Sequence, residues 1–297
     1  MTVETVRAPA SAFEDLPASP WEIEHVDVSG VHMATLDVAG DGPETFLCLH
    51  GEPTWSFLYR TMVPTLSSVG RVVVPDLVGF GRSDKWVDPE AYTFESLYST
   101  VQRFVERLDL HDVTLVCQDW GGLLGLPLAA AEPERFSRLV PMNTGLPDGT
   151  QTMPEEWHAF RSFVETADDL DVGRLVDAGC VGDLAPSVRR AYAAPFPDER
   201  HLAGVRRLPG LVPRDPATPA ARTIAGARET FRSWHRPVFV LFSDGDPITR
   251  GARDDLRRLF PTASDQPDTW IEGAGHFLQE DAGPTVAEAI VEFVNRT

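Results

Sequence analysis

The chain has 297 residues, 42% of them hydrophobic, and 26 basic against 45 acidic side chains give a formal net charge of −19. That length suits one large α/β domain or a core with an inserted lid. The charge disfavours nucleic acid or an anionic membrane as partner, and no stretch approaches the ~20 apolar residues of a membrane span.

Three cysteines, Cys48, Cys117 and Cys180, are too few and too buried in pattern for a disulfide framework and point to a reducing compartment. The N-terminus lacks a basic region followed by an apolar one, so no signal peptide is expected and the cytoplasm is the expected location. A single lysine, Lys85, stands among 25 arginines. Such an acidic, lysine-poor surface fits a salt-tolerant host or a GC-rich genome.

Residues 1–20, rich in Ala, Pro and acid, read as an extended arm. Residues 22–28 and 31–38 alternate and predict a hairpin around Ser29-Gly30. Residues 45–49 and 71–75 are continuous apolar runs, the pattern of strands buried on both faces. Residues 93–108 have helical period. Residues 113–117, 138–142, 237–242 and 268–271 supply further strands, and a helix is predicted from 285 to the C-terminus. Between 146 and 223 the alternation stops: helical segments at 154–166, 172–178 and 186–193 precede a Pro-rich tail with no strand. We expect a core of residues 1–145 and 224–297, a mostly parallel sheet covered by helices on both faces, with 146–223 inserted as a helical cap. In such sheets ligands bind beyond the carboxyl ends of the strands, where every motif described next is found.

Val116-Cys117-Gln118-Asp119-Trp120-Gly121-Gly122 joins a strand to a helix through a turn with small residues two before and two after Asp119. This is the nucleophile-elbow pattern, with Asp where Ser is usual. A carboxylate is ionised at neutral pH and can displace a leaving group from saturated carbon, leaving an ester on the enzyme. Water must then hydrolyse that ester, so a base is needed. His276, in Glu272-Gly273-Ala274-Gly275-His276-Phe277, is the candidate. Its acid partner is expected in Ser243-Asp244-Gly245-Asp246-Pro247. Asp246 is the first choice, Asp244 the rival, and Asp148 the third candidate. The oxyanion of ester hydrolysis needs N–H donors: the backbone of Trp120, and that of Glu52 in His50-Gly51-Glu52-Pro53. An indole N–H is a donor with no acceptor of its own. Trp120 beside the nucleophile and Trp157 in the cap could therefore hold a departing halide, although Trp157 equally fits an amphipathic face with Phe160 and Val164.

These residues resemble the haloalkane dehalogenases of the α/β-hydrolase superfamily. The likeness runs from about residue 45 to the C-terminus and is closest to the subgroup whose acid follows the penultimate strand and whose second halide donor is a cap Trp. It is carried by His50-Gly51-Glu52-Pro53-Thr54-Trp55-Ser56, by Asp76-Leu77-Val78-Gly79-Phe80-Gly81-Arg82-Ser83-Asp84-Lys85, by Gln118-Asp119-Trp120-Gly121-Gly122 and by the cap tail Tyr192-Ala193-Ala194-Pro195-Phe196-Pro197-Asp198. Residues 149–183 depart most from the family's pattern. The resemblance implies an α/β-hydrolase fold with an eight-stranded sheet and Asp119, Asp246 and His276 as triad. It also implies Trp120 and Trp157 as halide donors and the Glu52 and Trp120 amides as oxyanion hole. No metal or organic cofactor is implied. The substrate would be a small halogenated alkane, the products an alcohol, halide and a proton, and the expected assembly a monomer. The alternative is an epoxide hydrolase with the same nucleophile, which needs cap tyrosines to protonate the ring oxygen. Only Tyr192 falls in the cap. A fluoroacetate-type enzyme would need arginines after the elbow, and residues 121–131 contain none.

Overall fold

The apolar runs assemble into one twisted sheet in the computed structural model, which describes residues 3–17 and 21–297. In chain order the strands are β1 (Thr5–Val6), β2 (Ile23–Asp27), β3 (His32–Val38), β4 (Glu44–Leu49), β5 (Gly70–Pro75), β6 (Lys85–Trp86), β7 (Val113–Gln118), β8 (Phe136–Met142), β9 (Phe242–Ser243) and β10 (Trp270–Ile271). The helices are α1 (Val63–Ser67), α2 (Phe94–Arg107), α3 (Trp120–Ala131), α4 (Glu155–Thr166), α5 (Val172–Ala178), α6 (Pro186–Ala193), α7 (Ala203–Leu211), α8 (Pro219–Phe231), α9 (Arg253–Leu259) and α10 (Leu278–Asn295).

Six strands lie in the order β2-β3-β5-β4-β7-β8. β3 pairs antiparallel with β2 and β5, and the remaining pairs are parallel. Beyond β8 the sheet continues through single parallel bridges, Leu139 to Val238 and Met142 to Leu241, into the parallel pair β9 and β10. Counted this way the sheet has its eight expected strands. The ladder is thin at this edge because Pro141 and Pro237 have no N–H to donate and act only as acceptors, to Leu241 and Leu139.

The hairpin between β2 and β3 turns at Ser29 and Gly30, both at positive φ, as the twist of paired strands requires. α2 starts from a reciprocal cap between Thr93 and Ser96, a capping box with Ser in the usual Glu position. α3 is buried from Trp120 through Ala129, so it runs through the core with no solvent face. α10 begins at Leu278, seven residues before the predicted start, and has a non-helical residue at Ala282. Pro284 accounts for both, since its ring disturbs the preceding turn and hides the helical period.

The described part of the N-terminal segment, expected as an extended arm, is tied to the core. β1 pairs antiparallel with β6, the Arg7 guanidinium meets the Asp84 carboxylate at 2.6 Å, and Phe13 packs edge-on against Trp55. Residues 1, 2 and 18–20 of that segment lie outside the described residues.

Helices α4 to α7 leave the sheet after β8 and return over its carboxyl-end face. The Pro-rich stretch expected to be a tail holds α7 and the start of α8. α8, capped by Thr218, packs on α3 and α2 and so straddles the expected cap boundary at residue 223. None of the helices among the described residues is long and apolar enough to cross a membrane.

Candidate active site

β7 ends at Gln118 and α3 begins at Trp120, leaving one residue to turn the chain. Asp119 makes that turn at φ 51°, ψ −123°, a region a non-glycine residue occupies only under constraint. Its neighbours must be bare. A Cβ on Gly121 would sit 2.1 Å from the Leu49 carbonyl oxygen, and one on Gly122 would sit 2.1 Å from Thr144 Oγ1. The strained residue is clamped by its backbone: its N–H donates to the Asn143 carbonyl (3.1 Å), and its carbonyl accepts from Thr144 Oγ1 (2.7 Å). The side chain has no helix-capping bond, so it projects off the turn into the space under the cap.

There Asp119 Oδ1 accepts from the Glu52 backbone N–H at 2.8 Å, and Oδ2 lies 3.6 Å from His276 Nε2. His276 Nδ1 lies 3.0 Å from Asp246 Oδ2. The rival acids are engaged elsewhere. Asp244 accepts from the Gly273 N–H, and Asp148 holds Thr150 and faces Arg228 at 3.5 Å. Asp246 is wholly buried and also accepts from the Ile248 N–H (2.8 Å) and the Thr249 hydroxyl.

Charge and burial act against each other in this row. Burial alone would raise the Asp246 pKa, but the His276 charge and the three hydrogen bonds outweigh it and hold it at about 2. Burial alone would lower the His276 pKa, but the carboxylates of Asp246 and Asp119 outweigh it and raise it to about 10. For Glu52, burial and then the Asp119 charge both push the carboxyl pKa well up. The Glu52 group that donates to Asp119 is its backbone N–H.

The second expected oxyanion donor, the Trp120 N–H, makes no bond to the Asp119 carboxylate. As the first residue of α3 its N–H has no partner within the helix. Trp120 and Trp157 are both buried and line the same two adjoining cavities as Asp119. Neither indole N–H has a protein acceptor among the described residues. Trp157 and Val164 are buried in the core, and Phe160 packs against it.

Two contacts to His276 had no role in the sequence reading. Gln118 Nε2 lies 3.0 Å from His276 Nε2. Asn143, at φ 33°, donates to Ser243 Oγ and to the carbonyls of Gly275 and His276, tying the elbow to the histidine loop. An Asn directly after a strand, where positive φ is tolerated, was the available signal. His50 joins two loops: its Nδ1–H donates to the Gly51 carbonyl and its Nε2 accepts from the Leu77 N–H. No group of three or more His, Cys, Asp or Glu among the described residues is arranged to hold a metal ion.

The fold and the elbow site define the class. The profile of the α/β-hydrolase fold matches residues 44–283. Within it, the chain is 39% identical to a haloalkane dehalogenase of Psychrobacter cryohalolentis, over 99% of both chains. It is 42% identical to one of Mycolicibacterium paratuberculosis, over 98% of both. It superposes with a TM-score of 0.90 on the tetrameric haloalkane dehalogenase of Paraglaciecola agarilytica, at 37% identity over 96% of this chain and 97% of that one. The chain belongs to the haloalkane dehalogenase family.

Proposed function

We propose that this chain hydrolyses haloalkanes to primary alcohols, halide and a proton, through an ester on Asp119. The observation that carries this reading is the Asp119 carboxylate on the elbow, with one oxygen on the Glu52 N–H and the other facing His276. Asp119 Oδ2 attacks the halogenated carbon in line, the carbon–halogen bond breaks, and the halide leaves toward the indole N–H groups of Trp120 and Trp157. Oδ1 becomes the carbonyl oxygen of the ester, already on the Glu52 donor where the oxyanion will form.

Alkylation removes the charge of Asp119, and with it one of the two influences that raise the His276 pKa. The imidazole becomes the better base when it is needed. His276 Nε2 takes a proton from water, the hydroxide adds to Asp119 Cγ, and the Glu52 and Trp120 N–H groups hold the oxyanion. The alcohol leaves with an oxygen of Asp119, and Asp246 holds the imidazolium. Residues 146–223 serve as the roof that keeps bulk water from this chamber.

The epoxide reading lacks its proton donor. Tyr192 gives its hydroxyl to Glu280 at 2.5 Å, and no tyrosine lines either cavity. Halide release from 1,2-dibromoethane and 1-bromobutane, with an epoxide as control, tests the assignment; epoxide opening without halide release would overturn it. The tetrameric relative favours self-association over the monomer expected from sequence, which sedimentation velocity decides. A cytoplasmic location is part of this proposal and is checked by cell fractionation.

A further inference from the structure

The space under the cap is divided in two. An inner chamber of about 150 Å³ holds the hydrolytic groups, with Glu52 and His276 in its wall. An outer cavity of about 470 Å³ runs from it between the 145–154 loop and the 247–255 segment. Asp119, Trp120, Trp157, Val212, Pro247 and Ile248 line both and so form the neck between them.

The inner chamber is smaller than the roughly 300–1,000 Å³ usual for a ligand pocket, whereas the outer cavity falls within that range. During ester hydrolysis the inner chamber must hold the reacting carbon and the attacking water together. A long alkyl tail has no room there. The outer cavity does have room, and its walls suit such a tail: Leu123, Leu146, Pro147 and Met153 are apolar. Beyond the neck, the polar lining is Gln151 and Thr152 in the 145–154 loop and Thr249 and Asp255 in the 247–255 segment; Thr152 is exposed and the Asp255 carboxylate is held by Arg228.

Resting on the haloalkane reading, we propose that the preferred substrates are unbranched terminal haloalkanes of about six carbons or more, with the halogenated carbon at the neck and the tail in the outer cavity. Tail burial is binding energy far from the reacting bond, and it raises kcat/KM as long as the product is still released. A fully buried methylene is worth about fourfold.

The test is kcat/KM of the wild-type enzyme for 1-bromopropane, 1-bromobutane, 1-bromohexane and 1-bromooctane. We expect a rise of about tenfold from the butyl to the hexyl substrate. A second measurement uses Ala252→Phe. Ala252 is half-buried in the outer wall, and a Cβ on Gly145 would lie 3.5 Å from its own, so a ring there narrows the outer cavity alone. The hexyl-to-butyl ratio should fall to about one in this variant, with a circular dichroism spectrum and melting temperature like those of wild type reporting that it is folded. A wild-type ratio at or below one, or a ratio untouched by Ala252→Phe, overturns the proposal. Absence of halide release from every bromoalkane would instead overturn the haloalkane reading on which it rests.

Discussion

Asp246→Asn separates the two chemical steps. Asp246 is wholly buried and accepts from three donors, His276 Nδ1, Ile248 N–H and the Thr249 hydroxyl. An Asn keeps an acceptor for Ile248 but sets an NH₂ against His276 Nδ1 and the Thr249 hydroxyl. Each unmatched buried donor costs about 1–3 kcal/mol, so the imidazole is driven to the tautomer with its proton on Nε2. That nitrogen then has no lone pair for the attacking water. In serine proteases the same change costs about 10⁴ in kcat, or about 5.5 kcal/mol, and a loss of that order is expected here in ester hydrolysis. Alkylation needs only the Asp119 carboxylate and should persist. Rapid-quench measurement of bromide should show a burst of one equivalent per enzyme, then near-silence, with the ester mass on the Asp119 peptide. Steady turnover within tenfold of wild type, or silence with no burst, would refute the assigned role. The carboxylate is also a stability element. Its folded pKa of about 2 lies below the ordinary carboxylate value of 3.8. Its contribution, about 2 kcal/mol, is therefore present above pH 4 and lost as pH falls through 2.

Replacing either proposed halide donor should weaken anion binding. Trp157→Phe and Trp120→Phe each remove one hydrogen bond to a charged group, worth about 1.5–3 kcal/mol, and bromide titration by fluorescence quenching should show at least a tenfold rise in Kd. Gly51→Ala places a Cβ 2.3 Å from Asp119 Cβ and Oδ1; halide release should be lost while circular dichroism stays native. The His276 pKa, raised to about 10 from 6.5, contributes stability that is full below pH 6.5 and lost as pH climbs through 10. Urea unfolding at pH 7 and pH 10.5 should accordingly show wild type losing more stability than His276→Phe.

The elbow was legible because its constraints are local. Gly121 and Gly122 each face an atom that a Cβ would strike, so only glycine fits and the pattern shows in sequence. The alternating hairpin and the buried parallel strands were legible for the same reason, since periodicity is a property of neighbours. Contacts between segments distant in the chain were not. β1 has two residues and pairs with β6 about 80 positions away, too short to carry a period. Asn143 acts through a loop more than 130 residues downstream; its place directly after a strand hints at a special backbone but does not name that partner. Prolines hid helices: Pro209 lies inside α7, and Pro219 is the first residue of α8, where a missing N–H costs nothing. For the acid, position in the chain put Asp246 ahead of Asp244 and Asp148, and His276 Nδ1 lies 3.0 Å from Asp246 Oδ2.

The ester on Asp119 is tested most directly by a single turnover of excess enzyme with 1-bromobutane in H₂¹⁸O. If the carboxylate attacks carbon and water then attacks Cγ, the butanol carries ordinary oxygen and the Asp119 peptide gains ¹⁸O. Labelled alcohol with an unlabelled Asp119 would mean that water had displaced the halide itself, and would contradict the account.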